Sequence, residues 1–498
     1  MPPKTCSTIL LRNGLLATYS KGDDPLSVPA TRRVDVLIED DRIVDVAEPN
    51  SLKLPQYYFV IDCSNKWIAP GFVDTHRHVW MSVVNDQEDW TLSEYLCKLS
   101  WTTAALVTAE DVYLGQLAGC LQAIHGGTTT VVDHFHCANS VDHIEQAIRA
   151  TDESGLRSMF CIARQSLPTS IDPLEFDDDE EVSKMQMDTI VRLSSRDKGR
   201  LTADGRVTLG MAYDVQGINS AEDTRIVSLV RSLGVRPITA HYVGGPQAPA
   251  YSKKVRAWSE AGLLKDDVIF SHGSGLMHKR CDPDEWKLLK DAGASIASTP
   301  EDELGMGHGN PVAYEAVRRG VKAGLGIDSA SITSAEMFPA MRFALQWERG
   351  RMHEALAKDD QAARYNSLTA ASAFRLATLG GAEVAGRSSD IGSIEAGKLA
   401  DIVLYNAESI NLAHCHDPFK GIVFHATAAD VEWVIINGEI VKREGNLVRK
   451  NWEEVADALR RSIRAVQERV AQYDLDERYA AAMKFKRDRA EDGVEASD

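Results

Sequence analysis

No stretch of this 498-residue chain approaches the roughly 20 consecutive apolar residues that cross a bilayer. The opening run Met1-Pro-Pro-Lys-Thr-Cys6 has no signal-peptide core. Cysteine is scarce and scattered: eight residues, with no Cys-x-x-Cys pair. In a chain of this size that pattern predicts reduced, mostly buried thiols of a cytoplasmic protein rather than a disulfide framework. Positive charge is also short. A net charge of −18 argues against a nucleic-acid backbone or an anionic membrane as partner. There is no repeat of fixed period and no low-complexity tract.

What remains is ordinary globular composition, 44% hydrophobic and 26% charged, and enough chain for a large barrel with a second domain. The chain is organised around Lys66-Trp-Ile-Ala-Pro-Gly-Phe-Val-Asp-Thr-His-Arg-His78. Gly71-Phe72-Val73 reads as a buried parallel strand. Side chains two apart on a strand share a face, so His76 and His78 project together from its end. Two imidazoles on one stiff element are the beginning of a zinc-type site. Further strand candidates follow at 129–135, 157–163, 207–213, 237–242, 268–272, 294–298 and 324–328, with helical patterns between them at 141–154, 221–233 and 311–319. About eight βα units over about 300 residues predict a (β/α)8 barrel. A doubly wound sheet would want a glycine-rich phosphate loop after its first strand, where this chain has His76-Arg77-His78.

The ends read differently. Strands at 34–39 and 42–46 form a hairpin that cannot bury both faces alone. Their partners are expected at 400–405 and 431–441, where Asn437-Gly438 is a hairpin turn. The expected organisation is therefore a small β-sandwich from 1–68 and 386–450, a barrel over 69–385, and a helical tail over 451–498. Within that tail, 452–486 has helical apolar spacing at Val455, Leu459, Ile463, Val466 and Val470, and the charged residues after Arg487 are expected to fray.

Catalytic groups in such barrels sit at the C-terminal strand ends. The strand-end candidates are His76, His78, His134, His136, His241, His272 and Asp328. Two insertions, 80–101 with Trp80 and Trp90 and 165–179, are candidate covers over the mouth for a flat apolar substrate; loop packing is the competing reading. His308, within Gly305-Met-Gly-His-Gly309, is a further substrate-side candidate. His414-Cys415-His416 repeats the His-x-His pattern but falls in the small domain and is set aside as a decoy. His125 is read as a helix end.

Pro70-Gly-Phe-Val-Asp-Thr-His-Arg-His78 resembles the signature of the amidohydrolase superfamily, and Asp390-Ile-Gly-Ser-Ile-Glu-Ala-Gly-Lys-Leu-Ala-Asp-Ile402 resembles its return from barrel to sandwich. Later matches place the chain nearest the branch with atrazine chlorohydrolase, guanine deaminase and adenosylhomocysteine deaminase. The resemblance spans about Val34 to Val448. It implies one divalent metal per subunit, zinc first with iron or cobalt as alternatives, held by His76, His78, His241 and Asp328. Asp328 would also take the water's proton, and His272 would orient water or polarise substrate. It further implies a homo-oligomer, dimer or tetramer. Binuclear relatives carry a lysine ending the fourth strand; Arg206–Asp214 has none.

Two departures stand out. The branch's glutamate three residues after the fifth-strand histidine is missing, since the run is His241-Tyr-Val-Gly244. Carboxylates appear instead in Pro300-Glu-Asp-Glu-Leu-Gly305, so Glu301, or Glu303, is expected to deliver the proton or bind a basic group; a solvated acidic loop is the bland alternative. The function implied is a metal-dependent hydrolase of a non-peptide C–N bond in a small, cyclic or aromatic nitrogen compound. Amide-bond or dechlorinase-like hydrolysis is the alternative within the class, and a metal-free assembly protein the alternative outside it.

Overall fold

Eight short runs, nearly every residue of them buried, form one parallel sheet in chain order. They are Phe72–Arg77, Thr128–Phe135, Arg157–Arg164, Val207–Tyr213, Ile238–Tyr242, Val268–His272, Ser295–Ser298 and Lys322–Leu325. Burial on both faces is why these strands read as apolar runs without alternation. The computed structural model describes residues 8–165, 167–176, 181–214, 220–243, 254–278 and 281–491. The N-terminal run Met1–Cys6, Gly244 and the charged terminus over 492–498 lie outside those residues.

The sheet closes between its first and last strands. Asp328 N donates to His76 O (2.9 Å), and His78 N donates to Asp328 O (2.8 Å). Closure needs Gly326: a Cβ there would stand 2.6 Å from His76 O. The eighth ladder ends at Leu325 rather than at Asp328 as read from the sequence. The reason is that the chain leaves the seventh strand at Gly326 and turns onto the first.

The intervening helices follow local rules. Val141–Ser154 starts where Ser140 Oγ accepts from His143 N and stops at Gly155, which takes φ 89°. The segment predicted at 221–233 is Ser220–Ser232, and that at 311–319 is Ala313–Arg318. His125 closes the helix Ala109–His125.

The two chain ends build one nine-stranded mixed sheet, joined where Lys66–Pro70 pairs antiparallel with Ile402–Asn406. The expected sandwich is thus a single hydrogen-bonded sheet enclosing its own core, in which Ile9, Val36 and Ile38 from one end meet Ile402, Leu404 and Ile435 from the other. Asn437 and Gly438 take positive φ (56° and 75°), as the expected hairpin turn requires.

A buried ion pair locks this sheet to the barrel. Arg157, at the start of the third barrel strand, gives Nε (2.9 Å) and Nη2 (3.0 Å) to the carboxylate of Asp401, which also accepts from Asn437 N (2.8 Å). Both ionic side chains are only 2% exposed. The stretch that resembles the family's return segment therefore ends in a structural anchor. The tail forms two helices, Trp452–Val470 and Leu475–Glu491. The first buries Val455, Leu459 and Val466 and sets Ser462 and Arg469 on Asp111. The second reaches the 80–101 insertion, where Lys98 Nζ meets Asp476 Oδ1 (2.6 Å). Among the described residues, no helix is long and apolar enough to cross a membrane.

Asp401→Asn leaves the Arg157 charge buried with a weaker partner. We expect a loss of about 3–5 kcal/mol in urea unfolding, and a smaller loss when Arg157→Met is combined with Asp401→Leu. A single-variant loss under about 1 kcal/mol would mean the pair does not anchor the sheet.

Candidate active site

His76 and His78 leave the first strand together, His241 ends the fifth, and Asp328 follows the eighth. Their donor atoms lie within 4.8 Å of one another. Asp328 Oδ1 stands 3.2 Å from both His76 Nε2 and His78 Nε2. The rings are held from behind. His78 Nδ1 donates to the His134 carbonyl (2.7 Å), His241 Nδ1 donates to Asp214 Oδ2 (2.8 Å), and His76 Nδ1 pairs with Ser271 Oγ (2.8 Å). With Nδ1–H committed outward on His78 and His241, their Nε2 lone pairs are left for a ligand. Among the described residues, buried His76 Nε2 has Asp328 Oδ1 beside it but no hydrogen bond of good geometry. Burial also drives the His76 imidazole well below its usual pKa, keeping it neutral. Three imidazoles and a carboxylate converging in this way fit a zinc-class divalent cation with a coordination position to spare.

His272 ends the sixth strand with Nε2 3.7 Å from Asp328 Oδ2. Its Nδ1 pairs with Thr299 Oγ1 (2.9 Å). His272 (φ 70°) and Asp328 (φ 66°) both take the left-handed conformation, which is uncommon outside glycine and concentrates at functional sites.

The remaining candidates separate. His134 gives Nε2–H to Asp214 Oδ2 (2.6 Å) and accepts at Nδ1 from Thr239 Oγ1 (3.0 Å), so it backs the cluster. His136 stacks on His78, centroids 3.9 Å apart, and is held by Trp80 Nε1 and Tyr95 Oη, each at 3.1 Å. Trp80, expected to line the substrate, is wholly buried. A buried indole must satisfy its N–H, and this one does so on His136 Nδ1. Trp90 is half-buried beneath Lys98 Nζ, 5.5 Å from its ring. His308 is buried 4.6 Å from His272, edge-on, and neither ring nitrogen has a partner among the described residues.

Residues Pro300–Gly305 form a helical turn, so 301 and 303 point about 200° apart. Glu301 is half-buried, and burial raises its carboxyl against the pull of Arg342; among the described residues no hydrogen bond ties it to the cluster. Glu303 is the inward residue. It accepts from Thr299 N (2.8 Å) and Ser298 Oγ (2.9 Å) and lies 3.8 Å from His272 Nδ1.

Sequence reasoning passed over Asp214, which takes hydrogen bonds from both His134 and His241. It stands one residue past the fourth strand, so the strand-end rule could have found it. Thr239, Ser271 and Thr299 carry no comparable signal. The 80–101 insertion reaches across to the seventh and eighth strands through Ser331 Oγ on Gln87 (2.8 Å) and Leu92 N on Met306 O (3.0 Å). In the 165–179 insertion, Phe176 packs on Trp101 (5.5 Å); its residues 166 and 177–179 lie outside the described residues.

Residues 67–441 match the Amidohydrolase family. The chain belongs to the amidohydrolase family. As a member it is a hydrolase acting on C–N bonds, in a family that typically binds a divalent metal. It is 28% identical over 458 residues, 90% of this chain and 97% of the relative, to a 5-methylthioadenosine/S-adenosylhomocysteine deaminase of Pyrococcus abyssi. It is 28% identical over 436 residues, covering 86% and 93%, to a 5'-deoxyadenosine deaminase of Methanothermobacter thermautotrophicus. An adenosine deaminase from Xanthomonas campestris with bound zinc shares the fold, with TM-score 0.76, 22% identity and coverage of 95% and 100%.

Asp214→Asn in this amidohydrolase removes the charge behind two imidazoles. We expect metal retention against a competing chelator to weaken about 10–100-fold, with the melting curve little changed. Unaltered retention would remove Asp214 from metal binding.

Proposed function

We propose that the protein is a metal-dependent deaminase that hydrolyses the exocyclic amino group of a purine-like, adenine-derived compound and releases ammonia. The observation that carries this reading is the convergence of His76, His78, His241 and Asp328 at the barrel mouth. The adenosine-type names of its relatives support the substrate class. The borderline N3O donor set favours zinc, as bound in the adenosine deaminase neighbour.

A divalent ion held there supplies an acidified water, its pKa lowered from 15.7 toward about 7. The rest falls to the chain. Asp328, 3.7 Å from His272 Nε2, accepts the proton of the attacking water. His272, fixed by Thr299, steers the attack. His308 offers a ring nitrogen that the fold leaves unpaired to a nitrogen of the substrate. Water oxygen bonds to the ring carbon, the C–N bond breaks, and the departing amine takes up a proton.

The branch's usual proton donor after His241 is replaced by Gly244, and Glu303 takes its place in this proposal. Burial pushes the Glu303 carboxyl up to about 8, so it holds its proton at neutral pH. It sits one imidazole behind the cleft, 3.8 Å from His272 Nδ1, and lends a proton to that ring once the Thr299 hydroxyl now on Nδ1 gives way and the gap closes to hydrogen-bond distance. Each cycle adds one water across the C–N bond: the first water proton passes by way of Asp328 to the departing amine, the hydroxyl proton released as the carbonyl forms returns by way of His272 to Glu303, and Asp328 ends as the carboxylate it began as. The missing glutamate also favours a second reading, amide-bond or dechlorinase-like hydrolysis.

Adenine nucleosides should release ammonia, with turnover lost on chelation and restored by zinc. Glu303→Gln should lower kcat by about 10²–10⁴-fold, while Glu301→Gln stays near wild type. Amine or halide release without ammonia would select the second reading; full turnover in Glu303→Gln would end the proton route.

A further inference from the structure

The second His-x-His motif is not spent by the barrel. His414 and Cys415 lie in the loop after Ile402–Asn406, and His425 ends the turn Gly421–His425. The fold brings them together: one donor atom from each of His414, Cys415 and His425 lies within 4.8 Å of the others. The two rings meet edge to face, centroids 4.8 Å apart. His416, which completes the sequence motif, is not in the group. Apart from the ring contact, none of the three side chains has a hydrogen bond or ion pair among the described residues.

We propose that His414, Cys415 and His425 bind a second transition-metal ion of the zinc class, separate from the catalytic centre. A tetrahedral zinc site places N and S donors about 3.4–3.6 Å apart. The donor atoms, within 4.8 Å of one another, exceed that spacing by at most about 1.4 Å, within reach of side-chain rotation because both imidazoles are exposed. The backbone beneath needs no change. Cys415 N donates to Leu412 O (2.8 Å), Ala413 N to Ser409 O (2.9 Å) and Ala426 N to Gly421 O (2.9 Å). Asp417 Oδ1 accepts from Phe419 N (2.9 Å) and Lys420 N (3.2 Å), fixing the chain between the two halves of the site.

Two imidazoles and a thiolate suit zinc, cobalt or copper and disfavour magnesium or calcium, which prefer oxygen. Three protein donors leave the fourth position to water. Burial and Asp417 hold the Cys415 thiol protonated, so binding forms the metal–sulfur bond and releases that proton to solvent. Affinity therefore rises with pH.

Cobalt(II) separates this site from the catalytic one, whose donors include no sulfur. The full-length chain, stripped of metal and kept reduced, is titrated with cobalt(II). We expect two equivalents per chain and a thiolate-to-cobalt charge-transfer band. Cys415→Ser and His425→Ala should each lose the band and one equivalent while keeping the other. His78→Ala should keep the band, which separates failure here from failure of the deaminase reading. No band in folded wild-type protein, or a band that survives Cys415→Ser, overturns the proposal.

Discussion

The closure of the barrel on the backbone of Asp328 is the constraint that everything else serves. Its N–H and carbonyl are taken by His76 O and His78 N, so the carboxylate is delivered between the two imidazoles by main-chain pairing rather than by side-chain search. Gly326 permits the approach, and left-handed φ at Asp328 turns the side chain inward. The strain of that conformation, of order 1–3 kcal/mol, is tolerated because two ladder-like hydrogen bonds hold it.

Around this point the chain surrounds the imidazoles with fixed partners. Asp214 serves both His134 and His241, Ser271 serves His76, and Thr299 serves His272. Each partner settles which ring nitrogen faces inward. In a dry pocket such orientation is worth more than in water, because nothing reorganises when charge develops. The 80–101 insertion, tied to the loops after the seventh and eighth strands through Leu92 and Gln87, is braced by the C-terminal helix through Lys98 and Asp476. The tail therefore belongs to the architecture of the mouth, although it lies far from it in sequence.

Carboxylate position shows where reading by residue type runs out. Glu301 and Glu303 look equivalent in the run Pro300–Gly305, and only the helical turn there sends one toward His272 and the other toward Arg342. Trp80 likewise reads from the sequence as one more aromatic of the insertion, and only the fold gives its N–H to His136. His414-Cys415-His416 shows the converse: its sequence spacing proved less informative than the fold, which substitutes His425 for His416.

The chain alone determined the alternation of buried strands and amphipathic helices, the pairing of distant ends, and the strand-end rule that singled out His76, His78, His134, His136, His241, His272 and Asp328. These are legible because strand period, turn chemistry and apolar runs are local properties. Tertiary structure decided which nitrogen of each ring faces inward, that Asp214 supports two histidines, which glutamate points in, and that Asp401 anchors the end sheet through Arg157. Those facts depend on atoms brought together from residues tens to hundreds of positions apart, and no local pattern encodes an angle between side chains that meet only after the barrel has closed.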